Sequence, residues 1–363
     1  MGIKNLKKFI NSKAKSGVLH VNPYDIFKNT MVAIDLSGYL YKFVYNEDNK
    51  ARNFYLKGLT EMIFDFLKHK IIPIFIFDGK PDEAKKTTLE FRKQVHENKT
   101  TKINDNINKI AEYLKLPMED IEKLSLDELS KIVSNFFDEN VDLDPNILNE
   151  INLNLAEIAK INKTIIKLNS DIFTQTEKLF KLWNIPYLKA KGEADFLCAR
   201  LSLDGIVSAV CSEDMDLLPH GVYNLITGIT SLDFKKTNKT SVFVLQNILT
   251  ELEITMNQFI DICILSGCDY CSSLDNIGSV KGLGLIKKYG KIEKIPEYKE
   301  IIGLDKAREQ FSKHMDEKYD LKSSGFNFSK INSANLIEFL TKETSYKVAT
   351  INNKLEVLRK IYS

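Results

Sequence analysis

Cysteine and histidine are both scarce, five of each in 363 residues. Cys268 and Cys271 form one C-x-x-C, but no second pair and no histidine at ligand spacing joins them. That excludes an ordinary zinc site and leaves small buried thiols as the simpler account of Cys198, Cys211 and Cys263 as well. An odd cysteine count with no secretory leader argues against a disulfide-stapled exported fold and for a reduced, intracellular protein. No apolar run approaches transmembrane length, so no membrane partner is expected. Position 6 is Leu6, so the myristoylation pattern that Met1-Gly2 could begin is not completed. Neither sign of charge prevails: 51 Lys plus Arg face 49 Asp plus Glu, a net charge of +2. Such a balance hides local clusters and neither demands nor excludes nucleic acid. What remains is 44% hydrophobic and 28% charged, an ordinary globular composition long enough for one large or two modest domains.

What the chain does have is a recurring apolar strand that ends in an acid. Residues 31–35 end in Asp35, residues 71–78 in Asp78, and residues 206–216 in Glu213, Asp214 and Asp216. Amphipathic helical stretches lie between them, at residues 3–14, after Ser37 and at 54–69. Strands alternating with helices imply a parallel sheet, so the carboxyl ends share one edge. In open α/β sheets ligands bind outside that edge. Crowded acids repel and desolvate one another, so a gathered set calls for a cation. Residues 206–216 taken alone have a second reading, with Ser212 as a helix N-cap and Glu213 and Asp214 as first-turn acids. Three caps that happen to share one edge are a less economical account than a divalent-metal site.

Residues 82–115 read as helix, opening with Lys85, Lys86, Arg92, Lys93, Lys99 and Lys102. Lys85 and Arg92 are seven apart and share a face, which is either a solvated charged face or one turned to phosphate. Residues 103–180, rich in Asn, Lys, Ile and Leu, read as helices of an insertion or lid. Gly192 then precedes a helix carrying Glu193 and Asp195. Two residues apart, they would diverge on a regular helix and converge only if Glu193 stands at its very start. Short strands are expected at 222–226, 231–234 and 241–245. A helix at 257–265 runs through Gly267 and Asp269 into a glycine-containing turn and a second helix bearing Gly278, Lys281, Lys287 and Lys288. Such turns offer backbone N–H groups to phosphate. Gly282 and Gly284 lack the third glycine and preceding strand of a dinucleotide fingerprint. The remaining stretches, 305–314, 333–340 and 345–361, read as closing helices.

Several pieces, in order, resemble the flap endonuclease branch of the XPG family of structure-specific 5′ nucleases. They are Met1-Gly-Ile-Lys-Asn-Leu, Val32-Ala-Ile-Asp35, Ile76-Phe-Asp78-Gly-Lys-Pro81, Pro186-Tyr-Leu with Glu193-Ala-Asp195, Glu213-Asp214-Met-Asp216, Gly267-Cys-Asp269-Tyr-Cys271 and Ile277-Gly278. The resemblance implies an α/β, PIN-like 5′ nuclease fold. Its mostly parallel central sheet would be flanked by helices, with a helical arch and a helix–two-turn–helix DNA-binding element. It divides one nuclease domain into an N-terminal region (1–98), an arch (99–180), an internal region (181–267), the helix–two-turn–helix (268–305) and C-terminal helices (306–363).

It further implies seven metal acids: Asp35, Asp78, Glu193, Asp195, Asp214, Asp216 and Asp269. Asp195 stands where the family often has Glu, and the shorter arm would act through water. The implied ions are two Mg²⁺, with Mn²⁺ able to substitute, which suits an all-oxygen donor set. Lys85 and Arg92 match the basic pair at the scissile phosphate, and Tyr41 the aromatic that stacks beside the cut. Gly2, Gly278, Lys281, Lys287 and Lys288 are implied DNA contacts. Ser273, Leu274 and Ile277 would offer main-chain or hydroxyl oxygens to K⁺. The expected substrate is branched double-stranded DNA, cut as flaps, nicks or gaps in replication, repair or recombination. A 5′→3′ exonuclease or junction resolvase of the same family is the alternative, and a non-catalytic DNA-binding relative a third.

Three departures qualify the resemblance. The interval from Asp78 to Glu193 is long, so an enlarged gateway is expected. Residues 45–53 are short and show no acidic pocket for a one-nucleotide 3′ flap. The chain ends at Ser363 without a clamp-binding tail, so sliding-clamp binding by that route is not expected. A monomer is expected, in the nucleus or at a cytoplasmic viral replication site.

Overall fold

The β-branched and aromatic runs become strands of one sheet. The computed structural model describes residues 2–45, 53–80, 86–117, 121, 124, 126–139, 144–162, 164, 168–229, 240–271, 277–296, 303–321 and 326–363. The strands are β1 (Val18–Leu19), β2 (Met31–Asp35), β3 (Ile72–Phe77), β4 (Tyr187–Lys189), β5 (Ala209–Cys211), β6 (Asn224–Thr227) and β7 (Ser241–Val244). Their order is β1-β7-β6-β5-β2-β3-β4. The pairings from β6 through β5, β2 and β3 to β4 are parallel, while β7 and β1 add an antiparallel edge. The expected strand at 231–234 lies outside the described residues. β5 is shorter than the apolar run suggests. Ile206 and Val207 donate back to the Leu201 carbonyl (3.0 and 3.3 Å) after Gly205 turns the chain at φ +69°, closing a helix rather than opening the strand.

The chain divides into two compact units, residues Met1–Lys85 with Leu168–Ser363, and Lys86–Lys167. In the larger unit the sheet is covered on both faces, as parallel sheets require. Successive side chains alternate between two cores: Ala33, Ile74, Ile76, Val210 and Phe243 face one, and Val32, Ile34, Phe75, Phe77 and Cys211 the other. Helices α1 (Leu6–Lys13), α2 (Pro23–Ile26), α3 (Leu36–Tyr45) and α4 (Phe54–Lys68) precede β4 in this unit. The smaller unit holds α5 (Lys86–Leu114), α6 (Leu126–Glu139) and α7 (Pro145–Asn162), with its own core around Ile110, Leu129, Val133, Ile151 and Ile158. α8 (Ser170–Trp183) belongs to the larger unit, where it buries Leu179, Phe180 and Trp183. α9 (Ala194–Leu203), α10 (Leu245–Leu252), α11 (Met256–Ser266), α12 (Ser279–Tyr289), α13 (Leu304–Ser312), α14 (Ser333–Glu343) and α15 (Val348–Tyr362) complete it. No described helix is long and apolar enough to cross a membrane.

The α11–α12 pair is anchored by a charge. Asp261 on α11 is 3% exposed. Its carboxylate accepts from Arg308 Nε and Nη2, both at 2.8 Å, and from the Ile292 amide at 3.3 Å. Arg308 also donates to Glu293 just beyond α12, tying three segments together. Removing one partner of a buried pair strands the other charge. Arg308→Ala should therefore cost roughly 2–4 kcal/mol in urea unfolding, discounted because Arg308 is partly solvated. Asp261→Asn in the same chain should recover part of that loss. A single variant as stable as wild type would contradict this anchoring role.

Candidate metal centre and nucleic-acid interface

Two serines stitch the first three acids together. Asp35 closes β2, Asp78 follows β3 and Asp214 follows β5, so neighbouring parallel strands deliver them to one edge. Ser212 Oγ donates to Asp35 Oδ2 (2.8 Å) and accepts from the Asp214 amide (3.0 Å). Ser37 Oγ donates to Asp78 Oδ2, and its backbone N–H supports Asp35. Asp214 Oδ1 in turn accepts from the Asp216 amide at 2.9 Å, capping a single 3₁₀ turn. The capping alternative was thus half right in kind: a cap exists, but Asp214 makes it, and Ser212 spans two acids instead. Glu213 turns aside, accepting from the Gly228 amide (2.9 Å) and from Lys42 Nζ (3.4 Å).

The Asp35 carboxyl is pushed up to about 7, first by burial and next by the charge of Asp78, with Asp214 adding to it. Hydrogen bonds from Ser212 and Ser37 oppose the shift without cancelling it.

The N-terminal segment forms the next wall. The Ile3 amide donates to Asp216 Oδ1 at 2.7 Å, and Asp216 is 2% exposed. Gly2 has φ +70°, and a Cβ there would lie 2.7 Å from Asp216 Oδ1 and 3.0 Å from Asp214 Oδ1. A side chain would collide with both acids, which explains glycine at this position. Ile3, Lys7, Asp35, Gly38, Ser212, Asp214 and Asp216 line a cleft of about 380 Å³. Lys7 Nζ meets the Thr227 hydroxyl at 3.1 Å.

Glu193 is the N-cap of α9 and Asp195 lies in its first turn, the arrangement that allows residues two apart to serve one site. The first amide of this helix, Ala194 N, which has no intrahelical acceptor, donates to Asp78 Oδ1 at 2.8 Å. Gly79 N donates to the Gly192 carbonyl, and a Cβ on Gly79 would run into the carbonyl oxygens of Ala190 and Lys191. β3 and the start of α9 are therefore locked together by backbone. The Tyr270 hydroxyl is pushed well up by burial and then by the charges of Glu193, Asp195 and Asp216. Asp269 immediately precedes Tyr270, in the half-buried turn after α11.

The other expected residues are placed with varying definition. Tyr41 is 48% exposed on α3, whose Tyr39, Leu40 and Phe43 are buried. Gly278 is the N-cap of α12 without a side-chain cap, and Ile277 beside it is buried. Lys281 is exposed, Lys287 pairs with Glu253 at 3.0 Å, and Lys288 lies 4.8 Å over the Tyr289 ring. Arg92 lies on α5 in the smaller unit. Lys85, Ser273 and Leu274 lie outside the described residues. Sequence reasoning passed over Ser37 and Ser212 as positioning groups. Their only signal was a hydroxyl one or two residues from a strand-end acid.

The donor set is carboxylate and hydroxyl oxygen, which fits a hard divalent cation. Among the described residues no three acidic, histidine or cysteine side chains converge closely enough to hold a metal by themselves.

Fold and site together define an α/β protein with an acidic, cation-seeking strand edge. The XPG N-terminal domain is matched over residues 1–99 and the XPG I-region over residues 184–269, together more than half of the chain. Flap endonuclease 1 of Theileria parva is 28% identical across 99% of this chain and 66% of its own length. Flap endonuclease 1 of Danio rerio is 30% identical across 77% of this chain and 64% of its own. The chain spans 59–69% of the length of the curated relatives it matches. The solved catalytic core of Rad2 in complex with DNA substrate aligns over 98% of this chain and all of its own, at TM-score 0.64 and 16% identity. The flap endonuclease-1 from Methanococcus jannaschii aligns over 94% and 95%, at TM-score 0.60 and 20% identity. These likenesses establish the fold. The chain belongs to the XPG family.

The Asp35 shift has a consequence for stability. Its ordinary value is 3.8 and the folded value about 7, so the native state holds the extra proton between them. Stability contributed by this group is then lost as pH rises from about 4 to about 7. Asp35→Asn removes the charge. In metal-free buffer at pH 8 the variant should melt roughly 2–5 °C above wild type, with the gap closing as pH falls towards 4. An equal or lower melting temperature at pH 8 would show that the site carries no such strain.

Proposed function

We propose that the chain is a structure-specific 5′ nuclease that hydrolyses phosphodiester bonds in branched DNA, leaving a 5′-phosphate and a 3′-hydroxyl. The observation that carries this reading is the acid edge. Asp35, Asp78, Asp214 and Asp216 are hydrogen-bonded into one wall while burial and mutual repulsion leave Asp35 with a raised proton affinity. The names of the curated relatives and the DNA held by the Rad2 core support the same reading.

Asp35, Asp78, Glu193, Asp195, Asp214, Asp216 and Asp269 would hold two Mg²⁺ ions, directly or through water. Such ions, when bound, supply an activated water and neutralise charge on the leaving oxygen. The protein's own groups do the rest. Ser37 and Ser212 orient Asp78 and Asp35, and both serines favour the ionised form of Asp35. Asp78 is further aligned by the Ala194 amide. The exposed ring of Tyr41 offers a face on which a base can stack. Lys85 and Arg92 would add fixed positive charge to the scissile phosphate, which matters most in the transition state. Gly278, Lys281, Lys287 and Lys288 would grip the duplex through its phosphates, so affinity should fall with salt. Lys287 must leave Glu253 to do so. Ser273, Leu274 and Ile277 are the proposed K⁺ donors beside that helix.

End-labelled 5′-flap, nicked, gapped, four-way and blunt duplexes test the reading directly. In Mg²⁺ the flap should be cut near its junction, and chelator should abolish cutting. An uncut flap beside rapidly degraded blunt duplex would instead identify a 5′→3′ exonuclease, and preferential cutting of the four-way substrate a junction resolvase.

A further inference from the structure

Two thiols that the nuclease chemistry does not use flank one of the site acids. Cys268 and Cys271 bracket Asp269 and Tyr270 in the turn after α11, and their sulfurs lie 3.6 Å apart. A disulfide needs about 2.05 Å, so closing one asks each thiol for under about 1 Å of movement. Both cysteines are half-buried, whereas Cys198, Cys211 and Cys263 are fully buried. A reagent in solution therefore meets this pair first.

The same turn is tied to the acid wall. The Gly267 carbonyl accepts from the Lys4 amide at 3.4 Å. One residue earlier, the Ile3 amide holds Asp216 Oδ1 at 2.7 Å. Tyr270, between the thiols, packs edge-on against Phe311, with ring centroids 5.4 Å apart. Contraction of the turn would act on Asp269, which lies between the two thiols, and on the Lys4–Gly267 contact beside the Ile3 amide that holds Asp216. Displacements of this size are costly for catalysis.

We propose that Cys268 and Cys271 form a reversible regulatory disulfide, and that closing it suppresses activity by moving Asp269. The functional half rests on the nuclease reading. The oxidant is a low-molecular-weight disulfide. One cysteine thiolate attacks a sulfur of oxidised glutathione and releases one glutathione thiolate. The second cysteine then attacks the resulting mixed disulfide, releases the second glutathione and completes the Cys268–Cys271 bond. Two protein thiols are oxidised and one glutathione disulfide is reduced. The loop closed spans only four residues, so it constrains the unfolded chain little. Weak stabilisation of that kind suits a labile bond rather than a structural one.

The test equilibrates the full chain in defined mixtures of oxidised and reduced glutathione, then alkylates, maps peptides by mass and assays flap cleavage on the same samples. The expected result is loss of two thiols in one peptide, with Cys198, Cys211 and Cys263 alkylated only after denaturation. Cleavage should fall at least 5-fold on the order of the oxidised fraction approaching one, and return with dithiothreitol. The Cys268→Ser, Cys271→Ser double variant should keep its own activity through the same treatment. A lasting mixed disulfide with glutathione, or no loss of thiols, overturns the disulfide. A mapped disulfide with unchanged cleavage, or a double variant inhibited as strongly as wild type, overturns the coupling. A chain that cuts no substrate under reducing conditions defeats the nuclease reading, and the thiol map still decides the disulfide.

Discussion

Repulsion among carboxylates at one strand edge is the constraint on which the rest depends. Parallel pairing of β2 with β3 and β5 brings Asp35, Asp78 and Asp214 to that edge whether or not a counter-charge is present. Among the described residues, neutral hydrogen-bond donors hold them there. Ser212, Ser37, the Ala194 amide, the Asp216 amide and the Ile3 amide all serve this purpose. Neutral donors orient a carboxylate and leave its charge available, whereas a lysine would occupy it. Under the proposed nuclease reading, Asp35 is a destabilising group kept for the cation it would help to hold.

The scaffold is arranged to keep these acids from relaxing apart. Gly79 lets β3 pass directly against the carbonyls of Ala190 and Lys191, so Asp78 cannot drift from α9. Gly2 lets the N-terminal segment lie flat over Asp214 and Asp216. Arg308 fixes α11 to the segment after α12, so the placement of these two helices is set by a largely buried ion pair and not by loop length.

Much of this was legible in the sequence, for identifiable reasons. The strands and most helices show because each buries a face with its own period, 2 or 3.6. The acid edge shows because parallel topology converts position along a strand into position in space. The condition set on Glu193 and Asp195 is met because Glu193 is an N-cap. What the sequence hid was pairing between distant residues. Nothing near Asp78 announces that Ala194 will donate to it, and nothing near Ser212 announces Asp35. The start of β5 was misjudged because Ile206 and Val207 are apolar enough for a strand, yet Gly205 commits them to ending α9. Lys85, Ser273 and Leu274 lie outside the described residues, so for them the resemblance stands alone.

Asp214 follows a central strand, caps the turn that carries Asp216 and belongs to the charge that burdens Asp35. The most direct measurement is cleavage of a 5′-flap substrate in Mg²⁺ by wild type and by Asp214→Ala, with duplex binding measured alongside. The account predicts that the variant binds the substrate and fails to cut it. Equal cleavage by the two proteins would contradict the assignment of the acid edge as the catalytic centre.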